Sequence, residues 1–246
     1  MGLSYQEELT IRFDMCDVKQ DIKLSMLISH CLAVSGRQSA DLGRSDFFIY
    51  QEYGLIWVVT DYHLNIQRLP KYKERILIKT EAVAYNKFFC QRIFSVYDEF
   101  DNLLLELMCY FVLIDFESRK LVSVSEELIA PYQAEKVKKL PRIPKCQNLE
   151  NPVMDSFSVG YFDLDMNGHV NNAKYLEWLY EMLGYDFLLC HSPETIQLKY
   201  IKEVAPKSQV SSRLVREDLT SRHEIVVDGQ LHAQAVIKWR KQEDIN

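Results

Sequence analysis

The sequence predicts an α+β fold built from two copies of one unit, each a helix packed on an antiparallel sheet. Three observations predict it. The order strand, helix, several strands runs twice along the chain. β-rich runs follow each helix with turn residues between them. Each helix pattern is closed by a glycine, Gly43 in the first copy and Gly184 in the second. A helix that is apolar over most of its surface can serve as the partner layer of a sheet that curls around it.

The elements follow in order. Residues 5–13 alternate weakly and read as a strand, and Leu24, Leu27, Ile28, Cys31 and Leu32 recur at helical spacing, which predicts a helix over 24–42. From 55 to about 124 come LIWVVTDYHLNI, ERILIKTEAVAY, FFCQRIFSVYDE and LLLELMCYFVLID, separated by turn-like breaks that include Pro70, Asn86 and Asp101. They read as an antiparallel meander. Four of the seven prolines fall within 129–156, together with Lys136, Lys138, Lys139, Arg142 and Lys145, so this stretch reads as a linker between domains at 1–128 and 157–246. Beyond it a short strand is expected at 157–162 and a helix at 171–183, whose Ala173, Leu176, Leu179, Tyr180 and Leu183 are apolar. The strands TIQLKYIKEV, QVSSRLVRE, RHEIVVD and QLHAQAVIKW complete the second copy. Two echoes support duplication: IRFDMCD against GYFDLDM, and YHLNIQRLPKYKE against LKYIKEVAPKSQ with Pro70 set on Pro206.

Composition bounds the function. A chain of 246 residues with 48% hydrophobic and 26% charged residues is globular and has room for two domains. Its apolar runs are too short to span a bilayer, and no signal peptide is seen at the start, so a cytoplasmic protein is expected. A net charge of -6 argues against nonspecific nucleic-acid binding. The six cysteines, at 16, 31, 90, 109, 146 and 190, lack C-x-x-C or paired Cys/His spacing, so free thiols and no metal or other cofactor are expected.

The densest polar run precedes the second helix: DLDMNGHVNN, in which Asp165, Asn167 and His169 alternate. In extended or turning backbone such residues can share one side. Asn171 or Asn172 is a suitable N-cap, and the N-H groups of a helix start can stabilise an oxygen that gains negative charge. A polar capped turn explains the same residues without chemistry. The first copy separates the two readings, because its corresponding segment DMCDVKQD has neither Asn nor His. With Pro70 on Pro206, Gln67 falls opposite Glu203, so an acid too is confined to the second copy. That asymmetry points to one working site.

The segment 163–175, D-L-D-x-N-x-H-V-N-N-x-K-Y, together with LIWVVT and its polar-plus-proline turn, resembles the acyl-acyl carrier protein thioesterases of plant plastids and bacteria. The resemblance runs over nearly the whole chain. It implies a tandem (double) hot-dog fold and a thioesterase that hydrolyses fatty acyl-acyl carrier protein. Asp165, Asn167 and His169 match the family's catalytic motif, and Glu203 matches its glutamate in the pattern L-x-Y-x-x-E. Many plant members carry a cysteine directly after that glutamate; here the position is Val204. Water activated by Glu203, or Asp165 itself, is then the nucleophile. The first copy would shape the acyl pocket, with Trp57, Phe88 and Phe89 as candidate liners. Acyl carrier protein is the expected partner, received by the bases of 129–156 or by Lys199, Lys202 and Lys207, and the oligomeric state, monomer or homodimer, stays open. Three alternatives stay open from sequence: an acyl-CoA thioesterase, a hydroxyacyl dehydratase and a non-catalytic acyl-carrier binding module.

Overall fold

The computed structural model describes residues 2–141 and 148–242. Arg142, Lys145 and Cys146 lie outside the described residues. The first copy comprises β1 (Ser4–Thr10), a 3-10 turn (Phe13–Met15), α1 (Leu24–Asp41), α2 (Asp46–Tyr53), β2 (Leu55–Ile66), β3 (Arg75–Tyr85), β4 (Phe89–Asp98), β5 (Leu103–Asp115) and the two-residue β6 (Leu121–Val122). A connection follows with α3 (Glu126–Ile129), a 3-10 turn (Ala130–Tyr132) and β7 (Glu135–Lys136). The second copy has β8 (Val153–Ser158), a 3-10 turn (Tyr161–Asp163), α4 (Asn172–Glu181), α5 (Tyr185–Cys190), β9 (His191–Tyr200), β10 (Gln209–Glu217), β11 (Thr220–Val227) and β12 (Gln230–Lys241).

The strands form one sheet in the order β1-β3-β4-β5-β2-β9-β12-β11-β10-β8, with β6 against β5 and β7 against β3. Only β3, β4 and β5 form the expected meander. β2 returns to the far side of β5, a placement set by long-range pairing that local alternation does not encode. There it also pairs antiparallel with β9, which joins the two halves; His63 faces Gln197, and Leu64 faces Ile196. The sheet wraps α1 and α4, and a single apolar core draws on both copies, with Tyr62, Leu64, Ile196 and Leu198 fully buried at the junction. Lys199 is part of that junction. Its ammonium lies 3.1 Å from Asp61 Oδ1, so it is committed to an ion pair inside the seam and is not a freely presented docking base.

Two sequence expectations shift. The strand expected at 157–162 lies earlier, at Val153–Ser158, because this edge strand is mostly exposed and shows no apolar alternation. The repeat register also moves. The bridges Cys16 to Ile22 and Leu164 to Val170 are equivalent, which sets Phe13 on Tyr161, where the sequence echo paired Phe13 with Phe162. Lys73 and Lys207, both at positive φ (69° and 63°), occupy the same place in the turn after the first long strand of each copy. Leu69 therefore stands opposite Glu203, not Gln67. Hydrogen bonding at the turns decides this register, and the paired prolines that suggested the other one do not share a position.

Two tyrosines tie β9 to the start of α4. The Tyr200 hydroxyl donates to the Asn172 carbonyl at 2.7 Å, and the Val204 N-H donates to the Tyr175 hydroxyl at 3.0 Å. The two rings meet edge to face with centroids 5.0 Å apart. Burial pushes the Tyr175 hydroxyl up to about 12, so it stays neutral throughout the physiological range. Tyr175→Phe would leave the fully buried Val204 N-H unpaired. The expected loss is ~1–3 kcal/mol in urea unfolding, with faster hydrogen exchange at the Val204 amide.

Candidate functional site

The polar run ahead of α4 is a loop shaped by its own side chains. Asp165 Oδ1 accepts the N-H groups of Asn167 (2.9 Å) and His169 (3.2 Å), and the Asp165 N-H donates to the His169 carbonyl at 2.8 Å. Gly168 takes φ +79°, the left-handed conformation that a side chain disfavours. Asp163 accepts the Gly160 N-H at 2.8 Å and lies 3.1 Å from Lys174 Nζ. Asn171 is the N-cap, its Oδ1 accepting the Ala173 N-H at 2.9 Å. The polar positions of the motif thus divide. Asp163, Asp165, Asn171, Lys174 and Tyr175 hold the loop and helix start, and the Asn167 and His169 side chains are left to face outward from it.

His169 meets Glu203. Its Nε2 lies 3.7 Å from Glu203 Oε2, with the two side chains 28% and 38% exposed, so the pair is open to an incoming molecule. Glu203 sits three residues past the end of β9, where the bonds of Tyr200 and Val204 to α4 set its direction. Asp165 does not join this pair; its carboxylate bonds the backbone N-H groups of Asn167 and His169. Val204 is fully buried beneath the site.

A residue that sequence reasoning missed completes the group. Arg119, at positive φ in the turn between β5 and β6, donates from Nη2 to Glu203 Oε2. The first copy therefore reaches into the site of the second. Only one of two adjacent bases in the turn D-F-E-S-R-K marked it in the sequence.

Asn167, Met166 and Asn172 border a cleft of about 600 Å³ whose remaining walls come from the first copy and the connection that follows it. α1 contributes Leu32 and Ser35, α2 contributes Phe47 and Tyr50, and β2 contributes Ile56 and Trp57. Of the expected liners Trp57 is present, while Phe88 and Phe89 are not among the lining residues. Burial pushes the Cys31 and Cys90 thiols up to about 12 and holds that of Cys109 well above its ordinary value, so none of these three is an activated nucleophile.

The first copy repeats the loop without its chemistry. Asp17 Oδ1 accepts the N-H groups of Lys19 (2.8 Å) and Asp21 (3.1 Å), and Gln20 takes the positive φ of Gly168. Lys19 stands where Asn167 does, and Asp21 where His169 does. Both are used structurally: Lys19 Nζ donates to the His191 carbonyl at 2.8 Å, and buried Asp21 pairs with Lys71 at 2.9 Å. No group of three or more His, Cys, Asp or Glu side chains among the described residues is arranged to hold a metal.

Comparison with known proteins agrees with the fold. The acyl-ACP thioesterase N-terminal domain profile matches residues 2–132, and the C-terminal domain profile matches 146–241. A chloroplastic oleoyl-acyl carrier protein thioesterase of Coriandrum sativum is 27% identical over 230 residues, which are 86% of this chain and 62% of that one. The chain thus spans about three fifths of the length of the curated relatives it matches. Among solved structures, a Lactobacillus plantarum protein provisionally assigned as an oleoyl thioesterase superposes with a TM-score of 0.93 at 31% identity, covering 99% of this chain and 98% of that one. The 12:0-ACP thioesterase of Umbellularia californica superposes at 0.87 with 20% identity, covering 98% and 99%, which bears on fold alone. Both domain profiles fall in order along one double hot-dog, and the chain belongs to the acyl-ACP thioesterase family.

Proposed function

We propose that this chain hydrolyses fatty acyl-acyl carrier protein to free fatty acid and carrier protein, with Glu203 as general base. The observation that carries the reading is the meeting of His169 and Glu203 beside a cleft bordered by Asn167 and walled by the other copy. The acyl chain enters the first-copy cleft, which brings the thioester carbon to the loop ahead of α4. Asn167 and His169 donate to the carbonyl oxygen as it gains charge, each donor of this kind contributing ~2.7–4 kcal/mol to the transition state. Arg119 and His169 both face Glu203 Oε2, which leaves Oε1 to take the proton of an attacking water. The thiolate of the carrier's prosthetic arm leaves, and the carboxylate product remains with its chain in the cleft.

Water is the nucleophile in this reading. Asp165 Oδ1 is engaged by two loop N-H groups, and the first copy makes the same turn with Asp17 while lacking Asn, His and the acid. That pattern supports a loop-forming Asp165. Single-turnover hydrolysis in oxygen-18 water should place the label in the fatty acid and none in Asp165; label in the aspartate would identify an acyl-enzyme and exclude direct water attack.

The central test is release of fatty acid from a panel of acyl-acyl carrier proteins, with the same acyl chains on coenzyme A alongside. Glu203→Ala should lower kcat by ~10²- to 10⁴-fold, the usual contribution of a general base. Asn167→Ala and His169→Ala should each lower it by ~10²- to 10³-fold. Folded variants with full turnover would exclude this site. A kcat/KM higher on coenzyme A would reassign the substrate.

Arg119 acts here as a positioning residue supplied by the first copy. Arg119→Met should lower kcat about tenfold, equivalent to ~1.4 kcal/mol, with little change in KM. Arg119→Lys should restore part of that loss, a recovery that general loosening of the turn would not give.

A further inference from the structure

The wall of the cleft contains an arginine without an acid partner. β4 alternates so that Arg92, Phe94 and Val96 share the inward face, and Arg92 is only 7% exposed. Its Nη1 donates to Gln38 Oε1 at 2.6 Å and to Thr80 Oγ1 at 3.1 Å, and the guanidinium lies 5.4 Å from the Tyr132 ring centroid. Gln38 is itself held in place, with Nε2 donating to the Leu3 carbonyl at 2.8 Å. No carboxylate among the described residues pairs with Arg92, and its Nε and Nη2 donors have no hydrogen-bond partner among them. Asp46 lines the same cleft but forms no ion pair with the arginine. Taking a guanidinium out of water without a countercharge is costly, and its planar donors fit carbonyl, hydroxyl and carboxylate oxygens.

The register locates Arg92 relative to the chemistry. Arg92 faces Cys109, Cys109 faces Tyr62 and Tyr62 faces Leu198, so one row crosses β4, β5, β2 and β9. Three strand spacings of ~4.8 Å put Arg92 about 14 Å across the sheet from β9, and Glu203 lies further along β9's direction than Leu198. Arg92 thus stands in the part of the cleft remote from the reacting thioester. A methyl-ended chain reaching it would cover free donors with hydrocarbon, whereas an oxygen at the chain end would satisfy them.

Resting on the thioesterase reading, we infer that the remote end of this cleft is a subsite for acyl chains whose far end carries an oxygen, recognised by Arg92 with Gln38 and Thr80 as its support. The experiment compares kcat/KM for acyl-acyl carrier proteins that bear a terminal methyl, hydroxyl or carboxylate, matched in length across a series, on wild type, Arg92→Lys and Arg92→Met. Wild type should favour an oxygenated chain at least tenfold over its methyl-ended match at the length that reaches the subsite. Arg92→Met should abolish that preference, and Arg92→Lys, which keeps a cation, should retain part of it. The hydroxyl and carboxylate arms distinguish a neutral from an anionic chain end. Equal or better turnover of methyl-ended chains by wild type at every length would overturn the subsite while leaving the thioesterase reading intact, whether or not the variants fold. A preference that survives in Arg92→Met would overturn the role of the arginine. Hydrolysis of no chain at all would remove the thioesterase reading and the subsite with it.

Discussion

The antiparallel pairing of β2 with β9 is the contact on which everything else depends. It runs from Asp61 opposite Lys199 to Asn65 opposite Thr195, and it turns two small sheets into one. Without it each copy would end in an unpaired edge strand, with row upon row of unsatisfied N-H and C=O groups. With it, a helix of each copy packs into one shared core, and the loops that precede and follow those helices are held in fixed relation. The first-copy cleft and the second-copy loop can meet only because the seam is continuous.

From that seam the site is positioned by short-range bonds. The end of β9 is tied to α4 by Tyr200 and Tyr175, so strand and helix deliver Glu203 and His169 to one place from opposite sides. The loop ahead of α4 needs no help from the ligand to take its form, since Asp165, Asp163 and Asn171 satisfy its backbone. A pre-shaped loop spares the ordering cost that a flexible one would meet on each encounter with substrate.

Much of this was legible in the sequence. The long strands were, because one buried face imposes a period of two over many residues; Leu55–Ile66 and Gln209–Glu217 stand where the alternation put them. α2 and α5 were not, being short elements whose apolar residues are partly exposed, and β8 was hidden for the same reason. Asn167 and His169 stood out by their absence from the first copy, and Glu203 by the family motif. Their proximity is a product of the bonds that Tyr200 and Val204 make to α4, which join segments well apart in the chain and leave no local pattern in the sequence. Arg119 stood beside Lys120 in a turn and Arg92 among strand residues, and charge alone does not tell a surface side chain from one turned toward a cleft.

The matched turns at Asp17 and Asp165 bear on how such a site can change. In a symmetric dimer of identical chains, any residue suited to one half must be tolerated in the other, because a single codon writes both. Joining the halves lifts that restriction. Lys19 and Asp21 use it, binding their loop to the His191 carbonyl and to Lys71 where the other copy turns Asn167 and His169 outward from theirs. The freedom is bought in one direction: returning Asn and His to the first copy would break the contacts that Lys19 and Asp21 now make, so the division between the halves has become part of what holds them together.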